Sequence, residues 1–178
     1  MMSIPRVVEV KNGKIYFRVH PNIQNVYTKK IDSPKEASDA GYRLRFSLQD
    51  GEEVNVGGYR IFRQGKKICT DRSALYTAFP QFRTEFATPE LADGFNLEVY
   101  VDQNLIEVFV NEGEAVISNA VYQLGNEIKV QGNVSVSIET LEQKCLKLSG
   151  SFSDHKTVKL GSGACLLYTS PSPRDKRQ

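Results

Sequence analysis

Four acidic residues, Asp102, Glu107, Glu112 and Glu114, crowd one short stretch of the chain. Two carboxylates held close together can serve as general acid and as base or nucleophile. The pattern around these four argues against such a pair. Asp102 and Glu112 fall at turns bounding the apolar run Leu105 to Val110, about ten residues apart at about 3.3 Å each, and Glu107 lies mid-run. Solvated turn and face residues are the expectation, since acidic side chains are mostly exposed unless paired. Nucleophilic chemistry has no better footing: Ser73 and Ser118 have no motif-linked His, and no Gly-x-Ser-x-Gly elbow occurs. In Asp71-Arg72-Ser73 the expected roles are structural, with Asp71 capping the turn after a strand and Arg72 pairing with an acid on a neighbouring strand. Gly161-Ser162-Gly163 lacks the following Lys and helix of a phosphate cradle.

Metal and cofactor chemistry are not expected. Cys69, Cys145 and Cys165 are odd in number and far apart, which fits neither a disulfide framework nor zinc spacing and suggests buried free thiols. His20 and His155 stand alone, without the i, i+4 partner of a helix-borne zinc site. Asn133-Val134-Ser135 matches a glycosylation tripeptide and is given no role, because the pattern is common by chance. With 23 Lys and Arg against 21 Asp and Glu in 178 residues, the net charge of +2 gives no footprint for nucleic acid. No apolar run approaches the ~18 residues of a membrane span, and the segment Met1 to Arg6 lacks the regions of a signal peptide.

The elements that would position these residues are strands. No segment keeps apolar residues at i, i+3, i+4 and i+7, whereas short period-two runs bounded by Gly, Asn, Asp and Pro recur. They predict strands over Arg6 to Val10, Lys14 to Val19, Ile23 to Ile31, Tyr42 to Leu48, Val54 to Arg63 and Lys66 to Asp71. Six more follow, over Phe82 to Ala87, Leu97 to Val101, Leu105 to Val110, Ala115 to Tyr122, Ile128 to Val130 and Val134 to Leu141. Tight turns are expected at Asn12-Gly13, Asp50-Gly51, Gln64-Gly65 and Glu112-Gly113, where glycine tolerates positive φ. About a dozen strands imply an all-β fold, a two-sheet antiparallel β-sandwich of jelly-roll or concanavalin-like kind. Leu97, Val99 and Val101 share one strand face with Ile106, Val108 and Val110 across the turn Asp102-Gln103-Asn104. The opposite face carries Glu98, Tyr100, Glu107 and Phe109, a surface both aromatic and acidic that could meet solvent, sugar or another domain.

The stretch from Leu97-Glu98-Val99-Tyr100-Val101-Asp102 through Ile106-Glu107-Val108-Phe109-Val110-Asn111-Glu112-Gly113-Glu114 resembles the signature of the C-terminal domain of glycoside hydrolase family 32, the invertase, levanase and fructanase family. Cys69-Thr70-Asp71-Arg72-Ser73 resembles that domain's Asp-Arg-Ser segment. Met2 to Arg6, followed by Lys11 to Tyr16, resembles the junction at which the family's catalytic domain hands over to the sandwich. Ser118-Asn119 stands where the family often has Thr-Arg, and Gln103-Asn104 where it usually has Arg-Ser.

The resemblance implies a retaining fructoside-cleaving parent enzyme whose two carboxylates, about 5–5.5 Å apart, belong to a five-bladed propeller. The propeller's Trp-Met-Asn-Asp-Pro-Asn-Gly, Arg-Asp-Pro and Glu-Cys segments do not occur: the chain has no Trp, Lys176 follows Arg174-Asp175, and no Cys follows a Glu. The expected role is therefore a non-catalytic accessory sandwich packed on the propeller, with a homodimer contact possible. The alternative is a lectin-like module binding fructan or another oligosaccharide, with Tyr59, Phe62, Tyr100 and Phe109 as stacking residues. Residues 1–143 are assigned to the sandwich, 1–6 being linker, and 144–164 to final strands or an extension. From Cys165 to Gln178 the sequence resembles a translated sequencing adapter, expected to add nothing to the fold. Without Arg174, Lys176, Arg177 and Asp175 the chain carries 20 basic and 20 acidic residues, so the apparent basicity belongs to that tail.

Overall fold

In the computed structural model, which describes residues 3–37, 41–92 and 94–141, alternation along each strand becomes rows of side chains across a sheet. One sheet has six strands in the order β11-β10-β9-β4-β13-β3: β11 (Ala115–Ala120), β10 (Leu105–Val110), β9 (Asn96–Asp102), β4 (Tyr42–Ser47), β13 (Ser137–Leu141) and β3 (Tyr27–Ile31). Antiparallel register aligns Ile117, Val108, Val99, Leu44, Ile138 and Ile31 as a single row through all six strands. Directly opposed β-branched and Leu side chains on one pleated face pack against each other and demand a cover.

That cover is a five-stranded antiparallel sheet in the order β12 (Ile128–Gln131), β5 (Glu53–Val56), β6 (Tyr59–Gln64), β7 (Lys67–Asp71) and β8 (Glu85–Ala87). Its inward residues Val54, Val56, Tyr59, Ile61 and Ile68 are fully buried against Leu44, Val99 and Val108 of the larger sheet. Each such side chain contributes roughly 1.5–3 kcal/mol by leaving water. The sandwich is thus the all-β two-sheet architecture that the period-two runs imply. Within it, the Tyr59 hydroxyl donates to the buried Asn119 Oδ1 at 2.6 Å, and burial pushes the phenol well above its ordinary pKa.

A third, two-stranded unit pairs β1 (Arg6–Lys11) with β2 (Lys14–Val19) through the turn Asn12-Gly13, where both residues have positive φ. A short helix, α1 (Pro21–Gln24), links it to β3. The predicted strand Ile23 to Ile31 begins as this helix because Pro21 presets the first helical φ and His20 Nδ1 accepts from the Asn22 amide at 3.2 Å. The predicted run Val54 to Arg63 is two strands, β5 and β6, folded at Gly57-Gly58 with φ of 57° and 104°. Phe82 to Thr84 precede β8 as loop rather than joining it. The readings for 144–164 and 165–178, with Cys145, Cys165 and His155, lie outside the described residues.

The outer face of the six-stranded sheet differs most from expectation. Its row Ser118, Glu107, Tyr100, Arg43, Glu139 and Lys30 crosses all six strands. Four of these, Glu107, Tyr100, Arg43 and Glu139, are buried rather than solvated. The β1–β2 unit and α1 fold back over this face, placing Ile4, Val19 and Ile23 against Tyr100 and Phe109.

Candidate functional site

Each of the four clustered acids is held by partners of its own. Glu107 is only 1% exposed. Its Oε2 accepts the Ile4 backbone N–H at 2.6 Å, while Oε1 accepts from the Arg6 guanidinium and from the Ser118 hydroxyl at 2.9 Å. Solvation of this carboxylate, expected from its residue type, is replaced by charge-assisted hydrogen bonds to a segment about a hundred residues away in sequence. Glu112 pairs with Arg18 at 3.1 Å and Glu114 with Lys14 at 2.8 Å, tying the turn after β10 to β2. Asp102 Oδ1 accepts the Gln103 amide of its own turn at 2.7 Å.

Arg43 anchors a second buried network on the same face. Its Nε and one terminal nitrogen donate to Glu139 Oε2 at 2.8 and 2.5 Å, and the other reaches Glu98 Oε1 at 3.1 Å. It also donates to the backbone carbonyls of Gln24 and Tyr27, so the guanidinium locks α1 and β3 onto the sheet. Burial works against ionisation of Glu139, but hydrogen bonds from Arg45 and Arg43 outweigh it and hold the carboxyl below its ordinary value. Tyr100, which donates to Glu98 at 2.9 Å, has its phenol pushed up chiefly by burial.

Asp71-Arg72-Ser73 does what its residue types suggest in one half only. Asp71 accepts from the Ser73 amide at 2.7 Å and hydroxyl at 3.0 Å, capping the turn after β7. Among the described residues Arg72 pairs with no acid. It donates to the carbonyls of Ala120 and Arg83 and to the Tyr76 hydroxyl, sewing the loop to β11.

Three of the candidate stacking residues have no free ring face: Tyr59 is 0%, Tyr100 2% and Phe109 1% exposed. Tyr59 lies between the sheets, and Tyr100 and Phe109 stack edge-to-face at 5.8 Å beneath the β1–β2 unit. Phe62 is half-buried on the outer face of the five-stranded sheet, where it lines an open cleft of about 580 Å³ together with Phe82. Exposed aromatics that strand alternation did not single out, Phe79, Phe82 and Tyr122, gather around the buried Tyr76. All three sit in loops, although Phe82 and Tyr122 fall at the ends of the predicted strands Phe82 to Ala87 and Ala115 to Tyr122.

A last surface lies on the β1–β2 unit. Val8 opposes Phe17 and Val10 opposes Ile15 on one face, and all four are exposed, Val10 at 71%. The same face further along carries Arg6 and Val19, which do meet the sandwich. The hairpin is therefore seated at one end and apolar and uncovered at the other.

Residues 9–145 match the family described as "Glycosyl hydrolases family 32 C terminal". A levanase from Bacillus sp. (strain L7) is 34% identical over 121 residues, which is 60% of this chain and 12% of the levanase. Among solved structures, sucrose-6-phosphate hydrolase from Lactobacillus gasseri superposes with a TM-score of 0.63 at 17% identity, covering 77% of this chain and 33% of that one. A family 32 β-fructofuranosidase from Bombyx mori gives 0.61 at 16% identity over 79% and 33%. The chain thus spans about an eighth of the levanase and a third of each solved relative. With its matched sequence and its two-sheet fold, the chain belongs to the C-terminal domain family of the family 32 glycosyl hydrolases.

Proposed function

We propose that this chain is the non-catalytic accessory sandwich of a fructan- or sucrose-cleaving family 32 enzyme, and that it packs on and steadies the catalytic propeller. The observation that carries the reading is the uncovered apolar face of Val8, Val10, Ile15 and Phe17. An isolated two-stranded hairpin is marginal in water, and opposed apolar pairs left in solvent mark an interaction surface. The hairpin overlaps the segments, Met2 to Arg6 and Lys11 to Tyr16, that resemble the family's handover from propeller to sandwich. Buried anchors Glu107 and Arg43 give it and the following α1–β3 segment a fixed seat. Similarity to a levanase supports a fructoside-cleaving parent.

The test supplies the propeller of a family 32 levanase in trans. The chain alone is expected to self-associate at high concentration, to gain solubility with the propeller, and to release no fructose from sucrose, inulin or levan. The double substitution V10K/I15K is expected to abolish both association and rescue while leaving stability within about 0.5 kcal/mol. A strictly monomeric chain with no response to the propeller would overturn the docking role, and fructose release by the chain alone would overturn its non-catalytic character.

A further inference from the structure

We infer that the outer face of the five-stranded sheet carries a binding cleft for a neutral oligosaccharide, of the fructan class if the reading above holds. The cleft arises from the register. Glu53, Phe62, Cys69 and Ala87 oppose one another across β5, β6, β7 and β8, so a large ring stands beside two small side chains and the sheet surface steps down. Cys69 and Ala87 line the low part of this step, and Phe82, 51% exposed, flanks it on the loop entering β8. Its volume of about 580 Å³ falls within the roughly 300–1,000 Å³ of small-ligand sites.

The chemistry of the lining selects the ligand class. Phe82 and Phe62, one face of which Arg60 covers, offer aromatic surface, while Gln64, Arg83, Thr84 and Glu85 on the same lining offer hydrogen-bonding groups. An apolar ligand would strip water from those polar groups and return nothing, at a cost of about 1–3 kcal/mol each. The lining carries one charge of each sign, Arg83 and Glu85, so no net charge selects an ion. Arg60 holds Glu53 at 2.6 Å and Asp71 at 3.3 Å, and Arg83 donates to the Glu85 carbonyl while lying over the Phe86 ring. A sugar ring satisfies both demands, with C–H faces for the rings and hydroxyls for the polar groups. The platform is also fixed in advance: Arg60 lies 5.2 Å from the Phe62 ring centre and is itself held by two carboxylates.

Affinity electrophoresis and titration calorimetry of the full chain against levan, inulin and dextran test this. Levan or inulin is expected to retard the chain and dextran to leave it unmoved. F82A at the exposed ring and A87W at the exposed floor are expected to weaken binding about tenfold or more; A87W keeps the thermal midpoint, and F82A, which loses the edge contact to Tyr76, lowers it slightly. No retardation by either fructan, retention of binding in both variants, or equal retardation by dextran would overturn the assignment. So would a self-associating wild type that F82A converts to monomer, since the rings would then face a second copy. The assay contains no propeller, so a negative result here leaves the propeller-docking result standing, and the converse also holds.

Discussion

A carboxylate in the middle of β10 is the wrong residue for a strand interior unless something pays its desolvation, and Glu107 has three donors that do so. One of them, the Ile4 amide, belongs to backbone that no strand pairs. Truncation at Glu107 would leave that amide and the Arg6 guanidinium short of an acceptor, so E107A is expected to lower unfolding free energy by about 2–4 kcal/mol. E107Q, which keeps an acceptor oxygen but loses the charge, should cost less. Urea denaturation would rank the two, and hydrogen exchange at Ile4 should accelerate in both. Equal stability of E107A and wild type would show that the N-terminal segment is not anchored there.

Glycine governs how strands become hairpins in this chain, through space as well as through φ. Gly57 has φ of +57°, and a Cβ there would stand 2.1 Å from the Gly125 carbonyl oxygen, whereas one on Gly51, at +79°, would meet nothing within 4 Å. G57A is therefore expected to destabilise by about 1–3 kcal/mol and G51A by at most about 1 kcal/mol, an order that thermal melts would check. The same turn explains what the sequence could and could not convey. Alternation identified β9 and β10, their shared core face and the turn at Asn12-Gly13, because those depend on neighbours in the chain. Read as one strand, Val54 to Arg63 hides a reversal; the fold places Val56 opposite Tyr59, and cross-strand partners share a face, so Tyr59 joins the core. Alternation likewise put Tyr100 and Phe109 on a face away from the core, but what covers that face is set by Ile4, Val19 and Ile23, distant in sequence. Phe82 escaped notice as a cleft residue because its surroundings come from three different strands.

Acid response belongs to the assembled sandwich, since its cause is ion pairs drawn between elements. Glu139 and Glu114 both have folded-state pKa values lowered from 4.5 by their basic partners. Below 4.5 the unfolded chain binds more protons than the native one at these sites, so stability is complete above that pH and drains away as pH falls through the lowered folded values. Chemical denaturation from about pH 6 to about pH 3 should show this loss, and E139Q, weaker at neutral pH, should converge on wild type in acid. A difference between the two that stays constant with pH would remove Glu139 as a cause. The strand order has a separate bearing on how the chain is made. β13 lies between β3 and β4, so residues 27–47 wait for residues 137–141 before their sheet can close. Pairings so remote slow folding. A nascent chain emerging from the ribosome therefore carries two unzipped strand edges through most of its own translation, and release before Leu141 would leave both open to strands of neighbouring molecules.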